Sequence, residues 1–379
     1  LEDTAFYIYN RLAALNEVGG EPQRFGLSVE GFHQRNAERQ AHWPATMLAT
    51  STHDTKRSED VRARMAAISE MPDVWRRSLG RWRTVNRRAK RQIDESDAPD
   101  GNEEYLLYQT LLGTWAFESW HGMSEAARSE YVSRIQQYMA KAMKEAKVNT
   151  SWVQPNEEWD SAVADFIAHI LDPAPQNRFL EGFIPLAEEV ARIGAINSLS
   201  QTLLKLTSPG VPDIYQGNET WDFSLVDPDN RQPVDYAHRR DMLAALSGAT
   251  PEDLLGNWSD GRIKLFLIHR LLSFRRDNAE LFRSGGYRPL GLAGGLADCC
   301  IAFAREHEAQ AVVVLAPRLS SRVGFPAIGD VWGDTAVQLP DGWKAGHDLF
   351  TGEPRGAENS TLRLSQALAH FPFAALTKA

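Results

Sequence analysis

Residues 1–25 mix aromatic positions (Phe6, Tyr7, Tyr9) with the turn formers Gly19, Gly20 and Pro22. Ser28 can cap a helix carrying Phe32 and His33 and running to about Gln40, which Pro44 closes off. A short apolar run, Ala45 to Ala49, then gives way to Thr50, Ser51, Thr52, His53 and Asp54. An apolar run that stops at a polar cluster predicts a buried strand with functional groups at its carboxyl end. Beyond it, Trp75, Leu79, Trp82 and Val85 fall at helical spacing.

The acidic stretch Asp94 to Asn102, with Pro99 and Gly101, reads as a loop. From Glu103 to about Asp172 the pattern is helical and carries Trp115, Trp120, Trp152 and Trp159, which are read as core. A helix with the stripe Ile193, Ile196, Leu199, Leu203 and Leu206 follows and is broken by Ser208, Pro209 and Gly210. A short strand over Val211 to Tyr215 leads into a polar loop, Gln216 to Arg240. Helical spacing returns through Ile263, Leu267, Leu271 and Phe274. The last ninety or so residues carry apolar runs of strand length, such as Ala311 to Leu315, separated by Gly and Pro.

The middle of the chain thus alternates helix and strand, the pattern of β/α units on a parallel sheet, and the end is antiparallel β. Two legible parallel strands cannot close a barrel, so the chain is either a small α/β protein or the tail of a larger barrel. The expected fold class is α/β plus all-β. The expected segments are late β/α units over 1–94, a helical insertion over 95–175, a last helix-strand-helix over 176–284 and a β domain over 285–379.

Composition changes this picture little. Hydrophobic residues at 43% and charged residues at 24% suit a protein with a sizeable core. A net charge of −9 disfavours nucleic acid or an anionic membrane as the main partner. Residues 56–91 hold twelve Lys or Arg against four Asp or Glu, but the tryptophans at helical spacing favour an amphipathic helix with a solvated basic face. The two cysteines, Cys299 and Cys300, are adjacent in an apolar run and read as buried thiols of a reducing, cytoplasmic compartment. No membrane-length apolar stretch and no signal peptide is found; since the chain starts at Leu1 without a methionine, the missing signal says little.

Three segments carry candidate chemistry: Ala49 to Arg64, Ser208 to Glu219, and Leu225 to Tyr236. In a β/α barrel the carboxyl ends of the strands form the catalytic face, and two adjacent strands would aim His53, Asp54, Asn218 and Glu219 at one cleft. A carboxylate accepts from two vicinal sugar hydroxyls and an imidazole donates to one, and charge-assisted bonds of this kind are strong. The plainer reading is a cap, with Asp54 or Thr55 opening a helix that begins near Lys56. His347-Asp348, in the β domain, is the same dipeptide with no assigned role. Asp227 and Asp229 have carboxylate spacing, but the glycine and glutamate of a calcium loop are absent, so no metal and no cofactor is expected.

These motifs resemble the α-amylase superfamily. Gly210, Pro212, Ile214, Tyr215, Gly217 and Glu219 match its late-strand pattern, and His53-Asp54 matches the strand whose aspartate stabilises the transition state. The runs Glu2 to Tyr7, Thr52 to Arg57 and Asp227 to Arg231 look like its maltooligosyl trehalose synthase branch, and the likeness covers the whole chain. The resemblance implies the carboxy-terminal part of a (β/α)8 barrel with a helical insertion, followed by an antiparallel β-sandwich. It implies that a terminal α-1,4 link of a maltooligosaccharide becomes an α,α-1,1 link, with Asp54 catalytic. His53, Lys56, Arg57, Asn218, Glu219, Asp229 and Arg231 are then expected to contact the sugar, with Tyr7, Tyr9 and Trp221 as stacking surfaces. The family's nucleophile and general acid/base have no counterpart here. The chain is expected to start past the sixth strand, with the missing amino-terminal part of the same enzyme as its partner, and to be inactive alone. The alternatives are another α-amylase-type hydrolase or transglycosylase, or a non-catalytic sugar-binding fragment.

Overall fold

The computed structural model describes residues 2–343 and 345–378. In chain order, α1 (Glu2–Ile8), α2 (Val29–His42), β1 (Met47–Leu48), α3 (Glu59–Ala67) and α4 (Pro72–Asn86) come first. A hairpin of β2 (Arg91–Ile93) and β3 (Ser96–Ala98) leads to α5 (Gly101–Thr114), α6 (Glu125–Ala146) and α7 (Glu157–Ile170). Then come α8 (Arg178–Thr207), β4 (Val211–Pro212), α9 (Tyr236–Ala245), α10 (Pro251–Gly256), α11 (Arg262–Asp277) and α12 (Ala279–Arg283). The remainder holds β5 (Gly286–Pro289), β6 (Leu292–Ala293), β7 (Cys300–His307), β8 (Gln310–Pro317), α13 (Ser320–Val323) and β9 (Ala336–Gln338). It ends with β10 (Ala345–Asp348), β11 (Pro354–Gly356), β12 (Thr361–Arg363), α14 (Leu364–Ala367) and β13 (Ala374–Lys378). No helix of the described residues is long and apolar enough to cross a membrane.

The chain divides into two compact units. The first comprises Leu1–Phe25, His53–Gly194 and Phe223–Arg231; the second comprises Gly26–Thr52, Ala195–Asp222 and Gln232–Ala379.

Side-chain caps start four helices of the first unit. Ser58, Ser124 and Asn156 cap α3, α6 and α7, and Asp100 with Glu103 forms a capping box on α5. Helix α5 is buried nearly all round, so Leu106, Leu107, Leu111 and Leu112 are all core. Around it Trp82, Tyr108, Phe179 and Phe183 form one aromatic cluster, with ring centroids 5.1–5.6 Å apart. Trp115 and Trp120 stack at 4.8 Å. Trp115, Trp120 and Trp159 are core residues, whereas Trp152 is 58% exposed. On α4, Trp75 and Trp82 are buried and Arg76, Arg77, Arg81 and Arg83 face solvent, so this part of the basic run is a solvated helix face, whereas Lys56, Arg57 and Arg64 at its start are buried.

In the second unit, α2 takes its cap from Ser28, whose hydroxyl accepts from the Gly31 amide at 3.0 Å. A six-stranded antiparallel sheet has the order β11-β10-β13-β8-β7-β5, and a three-stranded one the order β12-β9-β6. The strand period of two sends Ile301, Phe303, Val312 and Val314 into a core with Ile196, Leu199 and Leu203 of α8 and Leu267 of α11. It sends Ala302, Ala304, Val313 and Leu315 into a second core with Val337 and Leu362 of the smaller sheet. Both faces of the large sheet are therefore covered, which explains why Ala311 to Leu315 is continuously apolar.

Arg305, fully buried on β7, holds this unit together. Its guanidinium donates to the carbonyls of Thr207, Phe282, Gly285 and Gly286 and to Gln40 Oε1, at 2.9–3.2 Å. Burial, with Arg275 nearby, lowers its pKa to about 10.

Strand β1 departs from the expected buried strand over Ala45 to Ala49. It is two residues long and pairs in parallel with β4, Met47 opposite Val211 and Leu48 opposite Pro212. Met47 is 69% exposed and Val211 48% exposed. Parallel sheets normally bury both faces, and among the described residues this pair has no third strand.

Candidate active site

Gly210 lets the two parallel strands approach. Its φ is +124°, and a Cβ there would lie 2.7 Å from Leu48 Cγ and 2.9 Å from the Thr46 carbonyl. The Val211 amide then reaches Thr46 O at 2.9 Å, and Asp213 N reaches Leu48 O at 2.9 Å. Because the strands are parallel, both end on one edge, Thr50–Thr52 following β1 and Asp213–Tyr215 following β4. Lys205 of α8 bonds Thr50 Oγ1 at 2.6 Å. The Glu219 carboxylate lies 3.4 Å from Arg239 Nε. Asn218 is fully buried and donates to Asp222 at 2.6 Å. Trp221 is half-buried, its indole N–H donating to the Trp258 carbonyl at 2.8 Å.

In the first unit, His53 and Asp54 occupy an exposed turn. Helix α3 begins only at Glu59 and is capped by Ser58, whose hydroxyl accepts from Val61 N. Asp54 and Thr55 are thus not the helix cap that a start near Lys56 would make them. The turn is braced from two sides. Asn230 Nδ2 donates to the His53 carbonyl at 3.0 Å, Ser58 N donates to Ser224 O at 3.0 Å, and Arg57 bridges to Leu225. From the other side Glu17, nearly buried, accepts from the amides of Lys56 at 2.7 Å, Arg57 at 3.3 Å and its neighbour Val18 at 3.0 Å.

The side chains around the turn are largely committed within the protein. Arg57 is fully buried and donates to the carbonyls of Ala13 and Asn16, both at 3.3 Å, and to Tyr138 OH at 2.7 Å. Lys56 is 7% exposed, with its ammonium 2.6 Å from Asp3. Tyr7 is buried in the core of the unit, and that burial raises its pKa above the ordinary tyrosine range. Tyr9 is 41% exposed.

The segment Phe223–Arg231 is held by α6. Arg134 Nε reaches the Asp229 carboxylate at 2.9 Å, and Lys141 donates to the Asp227 carbonyl at 2.5 Å. The same Asp229 oxygen accepts from Leu225 N at 2.8 Å, while Arg231 pairs with Asp227 at 3.0 Å and is half-exposed. The structure thus joins His53, Asp54, Arg57 and Asp229 through one loop segment of the first unit, and sets Asn218, Glu219 and Trp221 in the second. Sequence reasoning missed Glu17, Arg134 and Lys141, and held Asn230 only within the run Asp227 to Arg231, without a role of its own. No local motif marks Glu17, and Arg134 and Lys141 are ordinary helix positions.

No family model matches the chain. Among solved structures, maltooligosyltrehalose synthase from Arthrobacter ramosus is 33% identical, with a TM-score of 0.82, over 100% of this chain and 44% of its own. A hypothetical maltooligosyl trehalose synthase from Sulfolobus tokodaii is 32% identical, with a TM-score of 0.76, over 100% of this chain and 45% of its own. The fold is accordingly that of a class of carbohydrate-active enzymes. A curated protein of Mycobacterium tuberculosis (strain H37Rv), "Putative maltooligosyl trehalose synthase", is 38% identical over 353 residues, 93% of this chain and 40% of that protein. Over nearly all of its length the chain is a homologue of the maltooligosyl trehalose synthases, and it spans about two fifths of the length of the curated relatives it matches.

Proposed function

We propose that the chain forms the carboxy-terminal share of an intramolecular transglucosylase, which converts the terminal α-1,4 link of a maltooligosaccharide into an α,α-1,1 link. On this reading β1 and β4 are late strands of a (β/α)8 barrel whose other strands lie in an amino-terminal part of the same enzyme. Residues 95–175 are a helical insertion, and the sheets after residue 285 form a β-sandwich. The exposed apolar residues of the two-stranded parallel pair support this, since such a pair is complete only with further strands.

One observation carries the assignment of Asp54. It stands on an exposed turn that Glu17 and Asn230 brace, while Ser58 takes over the helix cap that would otherwise explain it. Asp54 accepts hydrogen bonds from two hydroxyls of the reacting sugar and stabilises the positive charge that grows on the anomeric carbon. His53 donates to a neighbouring hydroxyl. Retention at that carbon takes two displacements, through a glycosyl-enzyme intermediate. The freed glucose then turns and attacks with its C1 hydroxyl, in a site that excludes water. The nucleophile and the general acid/base come from the amino-terminal part. Lys56, Arg57 and Tyr7 act as supports of the turn; Tyr9, Asp229 and Arg231 are the first unit's candidates for sugar contact and Glu219 and Trp221 the second's, while Asn218, fully buried against Asp222, supports its own segment. The enzyme works in the cytoplasm, without a cofactor.

Product analysis tests this. With maltopentaose, the complete enzyme is expected to remove reducing ends without releasing free glucose, and the 379-residue chain alone is expected to do nothing. Turnover by the chain alone refutes the placement of the catalytic groups. Net hydrolysis by the complete enzyme refutes the transglucosylase reading.

A further inference from the structure

Away from the His53-Asp54 turn, helix α4 and the start of α5 border an open cavity of about 620 Å³, lined among others by Arg76, Leu79, Gly80, Arg83, Asn102 and Tyr105. Small-molecule sites fall in the range of about 300–1,000 Å³. None of these residues belongs to the candidate active site.

Gly80 is the first sign that the space has a use. It sits inside a fifteen-residue helix, where glycine costs about 0.8–1.0 kcal/mol relative to alanine. A Cβ at Gly80 would meet nothing within 4 Å, so no neighbour in the protein demands its absence. The bare position widens the cavity.

The charges around it then select the ligand. Arg76 lies 3.4 Å from Asp73. Glu104, on the buried floor, has its carboxylate 2.7 Å from Lys90 Nζ and 3.9 Å from Arg83 Nε, and accepts from Tyr108 OH at 2.6 Å. Each of the three cations thus already has a carboxylate partner, Asp73 for Arg76 and Glu104 for both Arg83 and Lys90, and a phosphate group would have to compete with it. A neutral polyol meets none of that penalty. The exposed guanidinium groups of Arg76 and Arg83 donate to its hydroxyls. Leu79 and the Tyr105 ring offer apolar surface, and that ring is fixed because its hydroxyl donates to Arg11 O at 3.0 Å and accepts from Trp75 Nε1 at 3.2 Å.

We propose that this cavity is a second carbohydrate site, which takes neutral glucosyl units of an α-1,4-glucan. The choice of glucan rests on the function proposed above; the neutral polyol class rests on the cavity alone. Calorimetric titration of the 379-residue protein tests it, with maltopentaose and glucose 6-phosphate as probes. Saturable binding of maltopentaose at millimolar concentration is expected. Gly80→Leu fills the space with a good helix former and should weaken binding by about tenfold or more without lowering the melting temperature. Arg83→Met should weaken binding as well. No binding, or binding that Gly80→Leu leaves unchanged, overturns the site. Tighter binding of glucose 6-phosphate, lost in Arg83→Met, overturns the neutral class in favour of an anion. Product analysis of the complete enzyme with maltopentaose judges the functional reading separately, since a hydrolytic outcome there leaves the titration result intact.

Discussion

Replacing Glu17 with alanine removes the acceptor shared by three main-chain amides. Of its bonds, that to Lys56 N is the shortest at 2.7 Å; those to Val18 N and Arg57 N are 3.0 and 3.3 Å. A hydrogen bond to a charged group contributes about 1.5–3 kcal/mol, and the longer, partly local bonds add about 1 kcal/mol together. The Arg62 guanidinium, 3.8 Å from the carboxylate and held below its ordinary pKa by burial, loses the strongest of its compensating charges as well, with Glu59 and Asp60 remaining. The expected loss for Glu17→Ala is about 3–4 kcal/mol. For a cooperative unit of this size, that lowers the melting temperature by about 6–16 °C. Calorimetry of the chain measures it, read on the transition of the first unit if the two units melt apart. Glu17→Gln keeps one acceptor oxygen and should lose roughly half as much. In the complete enzyme both variants should lower kcat more than they raise KM if, as proposed, the turn presents Asp54 to a charge that develops only in the transition state. A Glu17→Ala protein that melts within about 2 °C of wild type would refute the bracing argument.

In the complete enzyme, Asp54→Asn should lower kcat by about two to four decades, or 3–5 kcal/mol, from two weakened charge-assisted bonds. Its melting temperature should fall by no more than the loss of one exposed contact allows, since Ser58 and not Asp54 caps α3; near-normal kcat would remove Asp54 from the mechanism. Gly194→Ala should destabilise by about 1–3 kcal/mol, against the usual gain in a helix interior, because the new methyl would stand 2.5 Å from Arg64 Cγ and 2.8 Å from Arg64 Cα; equal or greater stability in denaturant unfolding would refute it. Burial holds the pKa of His33 below the ordinary histidine value of 6.5. Native His33 therefore resists protonation, and its contribution to stability is present above pH 6.5 and lost as pH falls toward its lowered folded value. The melting-temperature gap between wild type and His33→Asn should narrow on acidification, and a constant gap would refute the shift.

Much of this protein was legible before any tertiary structure. The Ser28-capped helix, the stripe from Ile193 to Leu206, the buried tryptophans of α4 and the β strands after residue 285 all obey rules that act over a few residues: a cap, a period of 3.6, a period of two. The segments around His53-Asp54 and Gly210 to Glu219 were legible for the same reason, since their chemistry and turn residues are contiguous in the chain. Contiguity also misled, because an apolar run such as Ala45 to Ala49 shows its period but not how many neighbours cover it.

What only the tertiary structure decided lies at long range. Glu17 reaches amides thirty-nine and forty residues away, and Asn230 bonds a carbonyl 177 residues away. Nothing in the neighbourhood of either residue marks that partner. Arg305 looks like one more charge in a strand, yet its donors fill with neutral acceptors from four other segments. The start of α3 moved from Lys56 to Glu59 because the backbone of residues 56–58 is bound to Glu17 and Ser224 before it is free to coil. Propensity and period act through neighbours in the chain; a buried donor or carboxylate takes whichever partner the packing brings, since leaving it unpaired costs about 1–3 kcal/mol, and only the folded arrangement determines which partner that is.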